Sequence, residues 1–320
     1  MIPEVEVPID IQAQNLTLQE LPKKWALQKP LAEYNVEMVD RLIAAGRIVA
    51  SKKYNGHRVH VLINQDGEPL LYNRTNKDIL NEYVPSLIDN IRQSNLPKNS
   101  LLDGEIYIPN NGKKESLDAL QEVISCGSTA LGAQRDKITP PNIAIFDTLI
   151  YNGENLILKP YKIRHAIPIP QARLHMAEII KISSRQQGLQ ASNDAGWEGL
   201  VLWDLNGPHK LNLNGNTKRG PSYKLKPEFD EDFLAVGFKE GTGYGKGKVG
   251  TLLIGKYISG AFVEFGEVGS GLSELEKIEY TNPAKYPFVV AVKHFGLDNK
   301  GRVTLASIQK VHKDKRVDEV

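Results

Sequence analysis

A lysine, a glycine three residues on and an arginine two beyond it make up the segment Lys53-Tyr54-Asn55-Gly56-His57-Arg58. These types suit phosphate chemistry. A lysine with its stem against apolar neighbours and other cations nearby loses part of its preference for the ammonium form, ordinarily held to a pKa of about 10.4. The neutral amine so released is a nucleophile. Glycine lets the backbone approach a ligand, and the guanidinium grips phosphate through a planar fork. A surface hairpin with ordinary basic residues carries the same letters, so the rest of the chain has to decide.

Further residues of this kind recur downstream. Arg74 directly follows an apolar run. Asp103 and Glu105 lie inside the run Leu101–Ile108, where a carboxylate is costly unless it holds a partner. Asp103-Gly104 also fits a plain turn, whereas Glu105, between apolar neighbours, does not. Phe146 sits in Ile143–Ile150 and reads as core, or as a flat ring for stacking on a base. Glu198, between Gly196 and Gly199, is a hard-cation ligand or an exposed acid on a glycine turn. Lys224 and Lys226 alternate with Tyr223 and Leu225, so both face one side of a strand. On an edge they would deter aggregation; facing a pocket they would clamp phosphate. Lys218 and Arg219 precede them. The loop Gly241–Lys248 carries Lys246 and Lys248 but no Ser or Thr after Lys248, and it joins two strands. It therefore reads as a basic loop able to touch a DNA backbone, not as a phosphate loop.

The elements that must position these residues follow from periodicity. Residues 1–28 read as a polar lead-in. Val36, Val39, Leu42 and Ile43 keep helical spacing, with Gly46 as the stop. Ile48–Ala50 and Val59–Ile63 flank the lysine segment as strands, and Asp66-Gly67 turns the chain into Leu70–Tyr72. A helix is expected over residues 80–91, with Pro85 as its kink or its true start. Another is expected over Ser116–Ile124, and mostly helical structure over residues 159–187, interrupted by Pro168 and Pro170. Pro227–Asp232 reads as an acidic joint. Beyond it come strands Phe233–Phe238, Val249–Tyr257, Ala261–Glu267, Phe288–Phe295 and Arg302–Val311, with a helix Leu272–Tyr280 opened by a Ser273/Glu276 capping box. That order is the signature of a small OB barrel.

The chain has 320 residues, 41% hydrophobic and 24% charged, so two globular domains are expected. A net charge of +2 excludes a polycation, and nucleic-acid contact must come from local clusters. The single cysteine, Cys126, excludes an internal disulfide and a multi-cysteine zinc site. No signal peptide and no membrane-spanning stretch is expected, which points to the cytoplasm.

Taken in order, these features resemble the ATP-dependent DNA ligases of the covalent nucleotidyltransferase superfamily, above all the compact two-domain phage and bacterial type, over roughly residues 29 to 315. The resemblance implies an α+β adenylation domain over residues 29–227, a hinge at 228–232 and an OB-fold domain over 233–320. It implies that Lys53 attacks ATP and carries AMP. Arg58 and Arg74 would hold phosphate, Glu105 the ribose, Phe146 the adenine, and Lys224 and Lys226 the α-phosphate. Glu198, with Glu105, would hold Mg2+ or Mn2+. The implied partner is nicked double-stranded DNA, clamped by a monomer, with Arg74, Lys218, Arg219, Lys246 and Lys248 as candidate contacts.

The sequence departs from the family at four positions. Asn55 stands for an aspartate and Ser51 for an acid that reads the adenine amino group. His312 and Thr304 stand where arginines are found, with Lys313 and Lys315 close by. The alternatives are a capping guanylyltransferase, an RNA ligase, an NAD-dependent ligase and a non-catalytic OB-type DNA-binding protein. The first is disfavoured by the barrel segment, the second by Arg58, and the third by the cysteine count. The last would take up no AMP.

Overall fold

A computed structural model describes residues 29–31, 34–74, 79–110, 115–169, 173–210, 219–298 and 300–320. The lead-in, residues 1–28, lies outside the described residues. The strands are β1 (Lys29–Leu31), β2 (Ile48–Lys52), β3 (His57–Ile63), β4 (Pro69–Asn73), β5 (Ser100–Tyr107), β6 (Asn142–Tyr151), β7 (Glu154–Asn155) and β8 (Leu174–Met176). They continue as β9 (Ile179–Ile180), β10 (Leu200–Asp204), β11 (Arg219–Leu225), β12 (Phe229–Glu240), β13 (Val249–Ile258), β14 (Ala261–Val268), β15 (Phe288–His294) and β16 (Ser307–Val311). The helices are α1 (Val36–Ala44), α2 (Pro85–Gln93), α3 (Leu117–Ile124), α4 (Thr129–Ile138), α5 (Tyr161–Arg164), α6 (Arg185–Asp194) and α7 (Glu274–Glu279). The chain divides into two compact units, one ending at Leu225 and the other beginning at Lys226. Among the described residues no helix is long and apolar enough to cross a membrane.

The first unit holds two sheets. One runs β1-β11-β10-β2-β9. Alternation along its strands turns Ile48, Ala50, Leu200, Leu202, Tyr223 and Leu225 to a core shared with Val39, Leu42 and Ile43 of α1. Asn35 caps α1 by accepting the Met38 N–H at 2.8 Å, and Gly46 ends it at φ +67°. The other sheet runs β4-β3-β5-β6-β7, with β8 added parallel to β6. Val59, Val61, Leu102, Ile106, Ile143 and Ile145 pack there against Leu87, Ile91, Leu120 and Val123 of α2 and α3. Each such fully buried side chain contributes roughly 1.5–3 kcal/mol. Pro85 is the true start of its helix.

One expectation changes here, one helix is added and one open alternative is decided. The region 159–187 is not mostly helical: four-residue α5 gives way to β8 and β9, and α6 starts only after its cap Ser184. Proline limits helix there, and Leu174–Met176 gains the backbone partners of β6. Helix α4 is an addition. Its buried positions are Gly132 and Asp136, so it lacks the apolar stripe that reveals a helix. Asp103-Gly104 is no turn; both lie within β5, with Asp103 paired to Asp147 of β6.

The second unit is a five-stranded antiparallel sheet in the order β14-β13-β12-β15-β16, with α7 opened by the Ser273/Glu276 capping box. Its first strand starts at Phe229, so residues 229–232 are strand rather than hinge. Two of the acids there have partners: Glu231 pairs with Lys256 at 2.6 Å, and Asp232 pairs with Lys315 and contacts His312 Nε2 at 3.1 Å. Phe229 stacks on His294 at 5.4 Å. Only residues 226–228 separate β11 from β12. The last strand shortens to Ser307–Val311, preceded by a Leu297–Val303 bridge. Among the described residues no strand ladder joins β14 to β16, so the pairing is open. Single bonds span that gap, from Ile308 N–H to Ser270 O and from Val303 N–H to Phe265 O, both 2.9 Å.

Candidate active site

The two sheets of the first unit wall a cavity of about 1020 Å³, lined among others by Lys53, Arg58, Glu105, Phe146, Trp203 and Lys224. That volume suits a nucleotide-sized ligand. Lys53 leads the loop from β2 to β3, and its backbone N–H donates to Gly199 O at 2.9 Å. Its ammonium donates to Glu198 Oε2 at 2.5 Å. Both side chains are mostly covered, at 18% and 16% exposure. Gly56 is required by close approach: a Cβ there would sit 2.1 Å from Ile106 O of β5.

Arg58 lies within β3, not in the loop, and faces Glu105 across the ladder. Its Nε and Nη2 donate to Asp103 Oδ1 and Oδ2 at 2.8 and 2.5 Å. This bidentate pair, with Asp103 1% exposed, explains why an acid is tolerated inside β5. Burial pushes the Glu105 carboxyl up to about 7; Lys53 and Arg58 draw it down but do not outweigh that. Glu198 and Asp103 push the same way as burial.

Phe146 is half-buried on the cavity wall, 6.0 Å from the Trp203 ring at 29°. Trp203 stacks flat on Tyr161 at 4.8 Å and 4°, and its Nε1–H donates to Ser51 Oγ at 2.9 Å. Next to Phe146, buried Asp147 accepts from Arg164 Nε and Nη2 at 2.7 and 2.8 Å and contacts His209 Nδ1 at 3.1 Å. Burial alone would raise Asp147, but Arg164 and His209 hold it at about 2. The ring wall thus rests on a charged, fully buried anchor.

Lys53, Arg58, Arg74, Glu105, Phe146 and Lys224 therefore line one cavity, and Glu198 joins them through Lys53. Arg74 is exposed just past β4. Lys226 is not on the strand with Lys224: β11 stops at Leu225, and Lys226 opens the second unit, its ammonium 5.9 Å from the Phe295 ring centre. Lys248 pairs with Glu274 at 2.8 Å, and Lys246 is exposed. Arg219 starts β11, and Lys218 lies outside the described residues. Sequence reasoning missed Asp103 as the partner of Arg58, Trp203 as cavity wall, and Lys52 and Glu115 beside the loop. Trp203 was findable, because it keeps strand parity with Val201.

Two sheets closing over a strand-end lysine, with helices outside, define a nucleotidyltransferase-type ligase fold. The chain belongs to the ATP-dependent DNA ligase domain family, whose model matches residues 29–223. It is 26% identical over 274 residues to a DNA ligase of Thermococcus onnurineus, covering 81% of this chain and 47% of that one. It is 25% identical over 249 residues to DNA ligase C1 of Mycolicibacterium smegmatis, covering 74% of this chain and 66% of that one. A solved Lig E DNA ligase shares the fold with a TM-score of 0.63 at 18% identity, over 90% of this chain and 99% of that one. The chain spans about half the length of the curated Thermococcus relative.

Proposed function

We propose that the chain is an ATP-dependent DNA ligase that seals nicks in duplex DNA. The observation carrying this reading is the Lys53 amine, ion-paired to Glu198 at the cavity that Arg58, Glu105 and Lys224 line. Nucleotidyl transfer needs a nucleophile in line with phosphorus and cations around the developing charge. Lys53 Nζ, freed of a proton, attacks the α-phosphorus of ATP; the N–P bond forms and the bond to pyrophosphate breaks. A 5′-phosphate oxygen of the nick then attacks the same phosphorus, regenerating the lysine. The 3′-hydroxyl finally displaces AMP to complete the phosphodiester.

In this reading Phe146 stacks on adenine and Glu105 accepts from the ribose hydroxyls. Lys224 and Arg58 neutralise phosphate, Arg58 being already aligned by Asp103. Lys226 is assigned to phosphate by resemblance, and Arg74, Lys218, Arg219, Lys246 and Lys248 to DNA. Mg2+ or Mn2+ is assigned to Glu198 and Glu105. The fit is chemical: both interact with the same Lys53 cation, and magnesium is commonly held by one or two carboxylates plus substrate phosphates. When bound, such an ion supplies charge for the leaving pyrophosphate.

We read the second unit as an OB-fold, because its strand order and the bonds across the β14–β16 gap match a barrel unzipped there. The boundary then falls at residues 226–228. A monomer gripping the duplex with both units gives affinity that falls steeply with salt, since phosphate contacts release counterions.

Intact-mass analysis after incubation with ATP and magnesium, beside Lys53→Ala, tests the reading. A gain of one AMP in the wild type alone, and sealing of a nicked duplex, is expected. If pyrophosphate neither strips AMP from the purified chain nor restores its uptake, the chain is no nucleotidyltransferase.

A further inference from the structure

Glu115 carries a charge that the reaction above does not use. It lies between β5 and α3, and its side chain is 2% exposed. A carboxylate so placed is retained only with good partners. It has several. Glu115 Oε2 accepts the Asn55 N–H at 3.2 Å, and its other oxygen pairs with the Lys52 ammonium. The Glu115 backbone carbonyl accepts from Asn55 Nδ2 at 3.0 Å. The Lys52 ammonium in turn lies 5.2 Å from the ring centre of Tyr54 and 5.6 Å from that of Trp197. Trp197 directly precedes Glu198, which holds the Lys53 amine. One lysine head therefore ties together the nucleophile loop, the segment before α3 and the approach to Glu198.

We propose that Glu115 is a positioning residue for Lys53, acting through Lys52 and Asn55 and touching no substrate itself. The pair sets the loop from both sides of Lys53: Lys52 on the strand end before it, Asn55 on the turn after it. Asn55 is fitted to this role. Its side-chain amide donates to a carbonyl, which an aspartate could not do, and an aspartate would add a second negative charge beside Glu115.

The inference rests on the nucleotidyl-transfer reading, and its test separates the two. Glu115→Gln keeps shape and acceptor but loses the ion pair; Asn55→Asp keeps shape and loses the donor. For each, the single-turnover rate of AMP attachment at saturating ATP, the half-saturating ATP concentration, and sealing of a pre-adenylated nicked duplex are measured. The Lys53 amine forms no bond in the last of these. Misplacing a nucleophile by about 1 Å costs on the order of 10²-fold, so attachment should slow by roughly 10- to 100-fold. The other two readouts should stay close to wild type. Attachment at the wild-type rate overturns the proposal. So does equal loss of all three readouts in folded protein, which marks a merely structural contact. If Glu115→Gln does not fold, Asn55→Asp, on the half-buried loop, carries the same test. A wild-type chain that takes up no AMP refutes the nucleotidyl-transfer reading instead.

Discussion

Replacing Arg58 by methionine isolates how the cavity wall carries its charges. Asp103 is 1% exposed and takes two hydrogen bonds from the Arg58 guanidinium, at 2.8 and 2.5 Å. Burial works against the guanidinium charge, but Asp103, with Glu105 and Asp147 behind it, outweighs that and raises its pKa. Methionine keeps most of the apolar stem and removes every donor. Asp103 is then a buried carboxylate without its cation, and breaking a buried pair from one side costs about 3–5 kcal/mol. The reciprocal change, Asp103→Asn, should cost less, about 1–3 kcal/mol, since asparagine still accepts a hydrogen bond. The arginine it leaves behind is also less sealed, at 15% side-chain exposure against 2% for Asp103. Urea unfolding followed by tryptophan fluorescence reads this directly. Trp197 and Trp203 lie in the first unit and no tryptophan follows Lys226, so the signal does not report on the second unit. Midpoints are compared at unchanged slope. A methionine variant within about 1 kcal/mol of wild type, or an asparagine variant that loses more, would show that Asp103 is not the desolvated member of the pair.

Two further outcomes follow from the same wall. Burial holds Glu105 near 7 against an ordinary 4.5, so between those values the native state binds more protons than the unfolded one. Stability from this group is present below about pH 4.5 and is lost as pH rises toward about 7; Glu105→Gln should remove that slope from urea midpoints, and an unaltered slope contradicts the assignment. A methyl at Gly56 would meet Ile106 O at 2.1 Å, so Gly56→Ala must shift the Lys53 loop. AMP attachment should fall on the order of 10²-fold, and a variant with the wild-type rate shows that the loop has slack.

Most of the first unit was legible because its strands are apolar, β-branched runs, and the structure buries β2, β5 and β6 almost throughout. The lysine loop, Glu105, Phe146 and Lys224 all lie on such strands or at their ends, and the structure brings them to one cavity. What failed to read was decided by tertiary partners. Asp103-Gly104 has turn chemistry, yet β3 and β6 pair with it from either side and the Arg58 guanidinium holds the Asp103 carboxylate. Leu174–Met176 and Ile179–Ile180 became strand because the edges of β6 and β2 were available. Pro227–Asp232 looked like an acidic joint, but Lys256 and Lys315 make the charges of Glu231 and Asp232 acceptable within β12. Glu115 gave no local signal, since its partners are more than fifty positions away in the chain.

The parity of β2, β10 and β11 divides the labour of the first sheet. Leu200, Leu202, Tyr223 and Leu225 turn inward to α1, while Val201, Trp203, Ser222 and Lys224 line the cavity. Ser51 lies across the ladder from Val201 and braces the Trp203 indole. Structure and chemistry are thus written on alternate letters of the same strands. A library confined to positions 201 and 222 would recompose part of the cavity lining while leaving Leu200, Leu202, Tyr223 and Leu225 of the packed layer unchanged. The cavity lining can be varied as a single layer, without renegotiating the fold that carries it.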